Sequence, residues 1–308
     1  MQYKCTRRVQ HGVVERYEYT QIRMGVETRM VVYAPSESVA LRACRAAYSR
    51  LSALEAMMSD YRPDSELMRL CQTAVRRWVK VSPELFYVLW HAQKLAKQTD
   101  GAFDITVGPL TALWREARTK QKLPDDATLQ QALARTGWQK VALSLRRRAV
   151  RLAVEGMRLD LGGIAKGYAC DCALRVLRQH GITRALVQMG GDLAVSAPPP
   201  NQKGWRIEIP PLSSGEEPVF LTLANCALST SGSTEQFVVI DGVRYAHIVD
   251  PRTGLGLRHL VQVSVKAPSG IVSDSLATAL CVMGAEGIVR LKHLYRGVEV
   301  WYKAVQEV

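Results

Sequence analysis

Apolar and polar residues alternate over residues 13–34, in two runs broken near Arg23-Met24-Gly25, and directly after Pro35 the spacing becomes helical. Period two buries one face of a strand, whereas Ala40, Cys44, Ala47, Leu51, Leu54 and Met58 fall along one face of a 3.6-residue helix. The fold therefore opens with a hairpin and a long buried helix, capped by Ser36 and ended before Tyr61-Arg62-Pro63. Ser82 and Pro83 start a second helix that stops before Asp100-Gly101. Residues 120–137 read as a linker and a short helix, and residues 141–154 as a hairpin tipped by Arg146-Arg147-Arg148. Gly162-Gly163 leads into a helix through Gln179 that Gly181 stops. Strands dominate residues 205–268, where Asp241-Gly242 joins 236–240 to 243–249. Ser273 is expected to cap a last helix over 274–283, ended by Gly284. Helices and strands intersperse without a βαβ rhythm, which predicts an α+β fold and not a doubly wound sheet.

A chain of 308 residues holds one large domain or two intimately joined lobes, and 47% hydrophobic with 22% charged residues is the composition of a folded globular protein. The seven cysteines are scattered and odd in number, so they read as buried thiols; Cys170 and Cys172 form C-x-C with no matching Cys/His pair for zinc. The formal charge of +13 is spread along the chain, and aromatics make up only 7% without interleaving among the basic residues, which argues against a nucleic-acid surface. The same charge suits a dinucleotide or an acidic partner protein. No apolar run reaches the roughly 20 residues of a membrane helix, and the first residues lead into no apolar signal core, so the chain reads as cytoplasmic unless a leader has been trimmed.

Three clusters carry chemistry. Asp274 and Thr278, at i and i+4, put a carboxylate and a hydroxyl on one helix face, hard oxygens suited to magnesium. Equally, an Asp there can serve the helix dipole and the Thr can bond back to the i−4 carbonyl. Asp274 is expected to be partly exposed, so that its loss would spare the fold. In Asp160-Leu161-Gly162-Gly163-Ile164-Ala165-Lys166-Gly167 the glycines let main-chain amides approach an anion beside the Lys166 cation, or else only permit close packing while Lys166 is solvated. His247 lies just inside the Asp250-Pro251-Arg252-Thr253-Gly254 turn, as a base titrating near neutrality or as a structural histidine. P-loop, dinucleotide-fingerprint and H-E-x-x-H motifs are absent from the sequence, so a nucleotide would be held by other means.

In order along the chain these clusters closely resemble one family, the ApbE flavin transferases. The resemblance runs through Met24-Gly25, Met58-Ser59-Asp60-Tyr61, Ser65-Glu66-Leu67 and the Asp100-Gly101-Ala102-Phe103-Asp104-Ile105-Thr106-Val107-Gly108-Pro109 segment. It continues in the 160–169 block, Gly190-Gly191-Asp192, Ser229-Thr230-Ser231-Gly232, His247 to Gly254 and Asp274 to Thr278, spanning nearly the whole chain. It implies a T-fold-like α+β core with a second, strand-rich lobe and an FAD site between the lobes. Met24, Tyr61, Ala102, Phe103 and Asp104 would line the FAD pocket, with Lys166 and the helix face near Cys172 approaching its other parts. The Ala169 carbonyl, Asp274 and Thr278 would hold Mg2+, and His247 would be the catalytic base, with Ile248 beside the flavin. The implied activity is magnesium-dependent transfer of FMN from FAD to a threonine or serine of an acceptor redox protein, releasing AMP. Hydrolysis of FAD to FMN and AMP, and a non-catalytic FAD-binding module, are the competing readings. The sequence departs from the family at Val26-Glu27-Thr28, where small residues are usual, at Cys71, where asparagine is common, and at Ala277, where some members carry a carboxylate. Family members are often exported or lipid-anchored.

Overall fold

A computed structural model describes residues 10–11, 14–213, 215–234 and 236–305. Cys5 lies outside them; the six other cysteines are buried free thiols, as expected.

The chain opens with strands β1 (Gln10–His11), β2 (Val14–Arg23) and β3 (Val26–Ala34), with Met24 and Gly25 as the tight turn between the last two. Helix α1 (Glu37–Met58) follows, Ser36 accepting from the Val39 amide, and every residue of the predicted apolar stripe is buried. Next come α2 (Glu66–Thr73), β4 (Val79–Lys80), and α3 (Pro83–Gln98) with Ser82 as its cap. Helices α4 (Gly108–Lys120) and α5 (Asp126–Ala134) precede strands β5 (Val141–Ser144) and β6 (Ala149–Leu152), whose turn holds the exposed Arg146-Arg147-Arg148. Helix α6 (Ala165–Gln179) leads to β7 (Ala185–Met189), β8 (Asp192–Val195), β9 (Trp205–Ile209), β10 (Val219–Leu223) and β11 (Cys226–Gly232). The chain then forms the hairpin β12 (Phe237–Ile240) and β13 (Val243–Ala246), β14 (Leu260–Ala267), α7 (Gly270–Met283), α8 (Glu286–Leu294) and β15 (Glu299–Val305).

The fold is α+β. Eight antiparallel strands pair in the order β1-β2-β3-β7-β8-β11-β14-β15. The residues of β3 that alternate inward, Met30 and Val32, meet α1, α6 and α7 in the main core; Val31 and Tyr33 face the opposite way and pack under the β9–β10 hairpin with Trp205 and Ile207. A third apolar cluster joins Leu110, Trp114 and Ala117 of α4 to Val238, Ile240 and Tyr245 of the β12–β13 hairpin. No described helix is long and apolar enough to cross a membrane.

One helix boundary differs from the sequence reading, and α2, α4 and α8 are helices that reading did not contain. Helix α7 begins at Gly270, so Ser273 lies inside it and Ser269 is the N-cap residue, without a side-chain cap bond. That cap role is filled from a distance. Asp171 on α6 accepts from the Gly270 amide at 2.7 Å and the Ile271 amide at 3.1 Å. Helix α8 follows the helix expected to be last.

Candidate functional site

Helices α6 and α7 cross where two glycines meet. A Cβ on Gly167 would sit 2.0 Å from the Gly270 oxygen, and one on Gly270 would sit 2.2 Å from the Gly167 oxygen. Only this close approach lets α7 reach the first turn of α6, whose leading amides have no partner within their own helix. Asp274 fills that role: its Oδ2 accepts from the Gly167 amide at 2.9 Å, and the residue is 1% exposed. The carboxylate therefore serves the amino end of a neighbouring helix, and it is buried where the sequence suggested partial exposure.

Burial pushes the Asp274 carboxyl up to about 7, with the negative charge of Asp192 adding to the rise and Lys166 opposing it. Lys166 extends from the first turn of α6 to Asp192 Oδ2 at 2.6 Å, so it is paired and not free in solvent. Crowding by protein would lower the Lys166 ammonium, but Asp192 and Asp274 outweigh it and hold the group protonated. Two carboxylates thus share one ammonium. Thr278, one turn along from Asp274, has its Oγ1 3.3 Å from Ser231 Oγ on β11, and a Cβ on Gly163 would lie 2.9 Å from that hydroxyl. Ala169 is fully buried on α6. The glycine segment thus meets the Thr278 hydroxyl at Gly163 and the Asp274 carboxylate at Gly167.

His247 follows β13 directly. Its amide donates to the Gln236 oxygen at 2.9 Å, and its ring Nδ1 lies 3.1 Å from the same oxygen. A carbonyl only accepts, so Nδ1 carries the hydrogen in this bond, and in the neutral ring Nε2 has the lone pair. The ring edge is open to solvent, but protein surrounds it on the other sides. That crowding lowers its pKa from the ordinary 6.5; the Gln236 carbonyl opposes the shift, Arg118 and Lys166 reinforce it, and Asp160 opposes it. His247 and the Lys166 group therefore sense one another's charge. Ile248, next in the chain, is buried, and its carbonyl accepts from Leu257.

A second charged group was not legible in the sequence. Arg115 of α4 holds Asp60 Oδ2 at 2.6 Å and Asp160 Oδ2 at 3.2 Å, while its guanidinium lies 4.0 Å from the centre of the Tyr61 ring. Asp160 also accepts from Thr111 at 2.8 Å and from the Gly162 amide at 2.8 Å, which fixes the glycine loop. Tyr61 is 74% exposed, so one ring face is backed by a cation and the ring is otherwise open for stacking. Burial raises the Asp60 carboxyl, Asp160 raises it further, and Arg115 opposes both. Arg115→Ala leaves the two carboxylates facing each other without their cation, so unfolding in urea should show a loss of about 1–3 kcal/mol near pH 8. The loss should shrink near pH 5, as a carboxylate with a raised pKa takes up a proton. A loss independent of pH would mean that packing, and not charge, is what Arg115 supplies.

Of the remaining residues of interest, those at 102–104 run beside the Arg115 group, because the Asp160 amide donates to the Ile105 oxygen at 2.7 Å. Met24 is half-buried at the β2–β3 turn with φ +50°. Ala102 and Phe103 are buried in the main core, and buried Asp104 accepts from the Thr106 amide at 2.8 Å and its hydroxyl at 2.7 Å. Cys172 is buried on α6 against Arg175, with Tyr168 and Arg50 beside it, none of which belongs to the Lys166 group.

The sequence profile of the ApbE family matches residues 24–302. The chain is 33% identical over 270 residues to an FAD:protein FMN transferase of Klebsiella pneumoniae, covering 85% of this chain and 77% of that one. It is 31% identical over 306 residues to one of Treponema pallidum, covering 94% and 84%. Among solved structures, the ApbE protein of Thermotoga maritima superposes with a TM-score of 0.82 at 30% identity, covering 94% of both chains. The flavin transferase ApbE of Vibrio cholerae gives 0.82 at 29% identity, covering 95% of this chain and 97% of that one. A profile and relatives that extend over nearly the whole length leave one assignment: the chain belongs to the ApbE family.

Proposed function

We propose that this chain transfers FMN from FAD to a serine or threonine hydroxyl of an acceptor redox protein, with AMP as the leaving group. The observation that carries the reading is His247, whose Nδ1 bond to the Gln236 carbonyl makes Nε2 the unprotonated nitrogen of the neutral ring. The acceptor oxygen attacks the FMN-side phosphorus, the bond to the AMP phosphate breaks, and the hydroxyl proton passes to Nε2. Lys166 stabilises charge on the pyrophosphate oxygens, while the Gly162 and Gly167 amides are taken by Asp160 and Asp274 and hold the loop in shape. Tyr61, backed by Arg115, offers a stacking surface for a ring of the dinucleotide, and Met24, Ala102, Phe103, Asp104, Cys172 and Ile248 are assigned to the pocket by the family pattern.

Among the described residues no three His, Cys, Asp or Glu side chains are grouped as a metal site. The Asp274 carboxylate, the Thr278 hydroxyl and the Ala169 carbonyl are hard oxygens, and bound cation would offset the charge repulsion between Asp274 and Asp192 that raises the Asp274 carboxyl. That donor set suits magnesium, which when bound supplies positive charge to the pyrophosphate.

Incubation with FAD, magnesium and candidate redox proteins, read by in-gel flavin fluorescence and peptide mass analysis, tests the reading. The expected result is a fluorescent adduct that maps to one Ser or Thr and requires all three components. Release of FMN and AMP at an unchanged rate without any adduct would instead identify a hydrolase. By calorimetry FAD should bind more tightly than FMN, because the site engages both halves of the dinucleotide; equal affinities would remove the adenylate half from the site.

A further inference from the structure

The β12–β13 hairpin is two-stranded, with register Ile240↔Val243, Val239↔Arg244, Val238↔Tyr245 and Phe237↔Ala246. Asp241 and Gly242 both have positive φ, the two-residue turn that makes Ile240 and Val243 a hydrogen-bonded pair. Pairs alternate from there: Val238–Tyr245 is bonded, and so is Gln236–His247, where the His247 amide does donate to Gln236. Phe237 and Val239 are therefore the residues of β12 whose N–H and C=O point away from β13. Among the described residues no main-chain bond reaches that outer side. Their side chains are open as well, Phe237 at 41% and Val239 at 49% exposure, while the opposite face of the hairpin is held on α4 by Val238 and Tyr245.

An apolar edge strand that carries no charged residue or proline of its own is a template for a further strand, and natural proteins leave one open where something pairs with it. The same strand leads to the reaction centre, since the carbonyl that positions His247, on the β13 side, belongs to Gln236, the residue immediately before Phe237. We infer that an extended segment of the acceptor protein adds as a strand to β12, hydrogen-bonded to Phe237 and Val239, and so delivers its Ser or Thr past Gln236 toward His247. This rests on the transferase reading above. Arg244 stands on the same face, its guanidinium 4.0 Å from the Phe237 ring centre, so the segment's side chains there are apolar or acidic and not basic. Recognition through the main chain fixes the direction and register of the segment while asking little of its sequence.

Two variants test the docking edge with the acceptor identified by flavinylation. Val239→Pro removes one outward N–H but no bond of the β12–β13 ladder, because proline is tolerated at outward-facing edge positions. Phe237→Glu leaves the main chain intact and sets a charge against an apolar or acidic segment. Each should raise the KM for the acceptor about tenfold or more, with FAD affinity, read by flavin fluorescence titration, unchanged. Circular dichroism checks the fold, and if the proline variant does not fold, the glutamate variant decides alone. A wild-type KM for the acceptor in the folded variants overturns the proposal. If the wild-type chain itself modifies no candidate protein, the transferase reading has failed first, and the docking edge falls with it.

Discussion

His247→Ala should bind FAD as the wild type does and transfer FMN slower by about a hundredfold or more, the usual cost of losing a positioned general base. The side chain is held through Nδ1 by a carbonyl that belongs to its own strand ladder, and nothing else described in the fold depends on its ring. Binding and chemistry should therefore separate cleanly. The pH profile gives an independent readout. A base must be neutral to accept a proton, so the wild-type rate falls as pH drops through the histidine pKa. Crowding lowers that pKa from 6.5, with Arg118 and Lys166 adding to the effect, so the acid limb should lie below the ordinary imidazole range. The alanine variant should lose the limb. A variant that transfers at the wild-type rate with the same profile would make the histidine structural and send the search for the base to Asp160.

Local signals in the sequence reached far into this fold. The stripe from Ala40 to Met58 and the caps at Ser36 and Ser82 depend on neighbours within a turn or two, and all stand in the structure. The turn at Asp241-Gly242 is equally local. What the sequence hid is long-range. Helix α7 starts at Gly270 because Asp171, on another helix, satisfies its first amides, and without that partner Ser273 looks like the cap. Helix α4 begins with Gly108-Pro109, text that reads as a turn, although proline is acceptable in the first turn of a helix and Leu110, Trp114 and Ala117 supply a buried face. With α4 unread, Arg115 had no address, and its bridge between Asp60 and Asp160 could not be foreseen. The Asp274–Thr278 spacing was readable, yet the object Asp274 faces, the amino end of α6, depends on the Gly167–Gly270 crossing.

That crossing decides which substitution tests the proposed metal site. Asp274→Ala would strip the Gly167 amide of its acceptor inside the core, so a loss of activity could come from a loosened fold. Asp274→Asn keeps an oxygen for that amide and removes only the charge. In the metal-free protein the carboxyl's folded pKa is raised to about 7 from 3.8. The folded state therefore holds a proton that the unfolded chain gives up, and stability contributed at low pH is lost as pH rises through that window. At a cost of about 1.4 kcal/mol per pKa unit, Asp274→Asn should be the more stable apo protein at pH 8 by on the order of a few kcal/mol, and no more stable at pH 4. Magnesium should reverse the order. Cation bound at a hundredfold excess over its Kd stabilises by about 2.7 kcal/mol, several degrees in Tm for a chain of this size, and only the wild type should respond. Transfer activity should be lost in the variant while FAD still binds. A variant whose Tm rises with magnesium as the wild type's does would remove Asp274 from the metal site, whatever its effect on turnover.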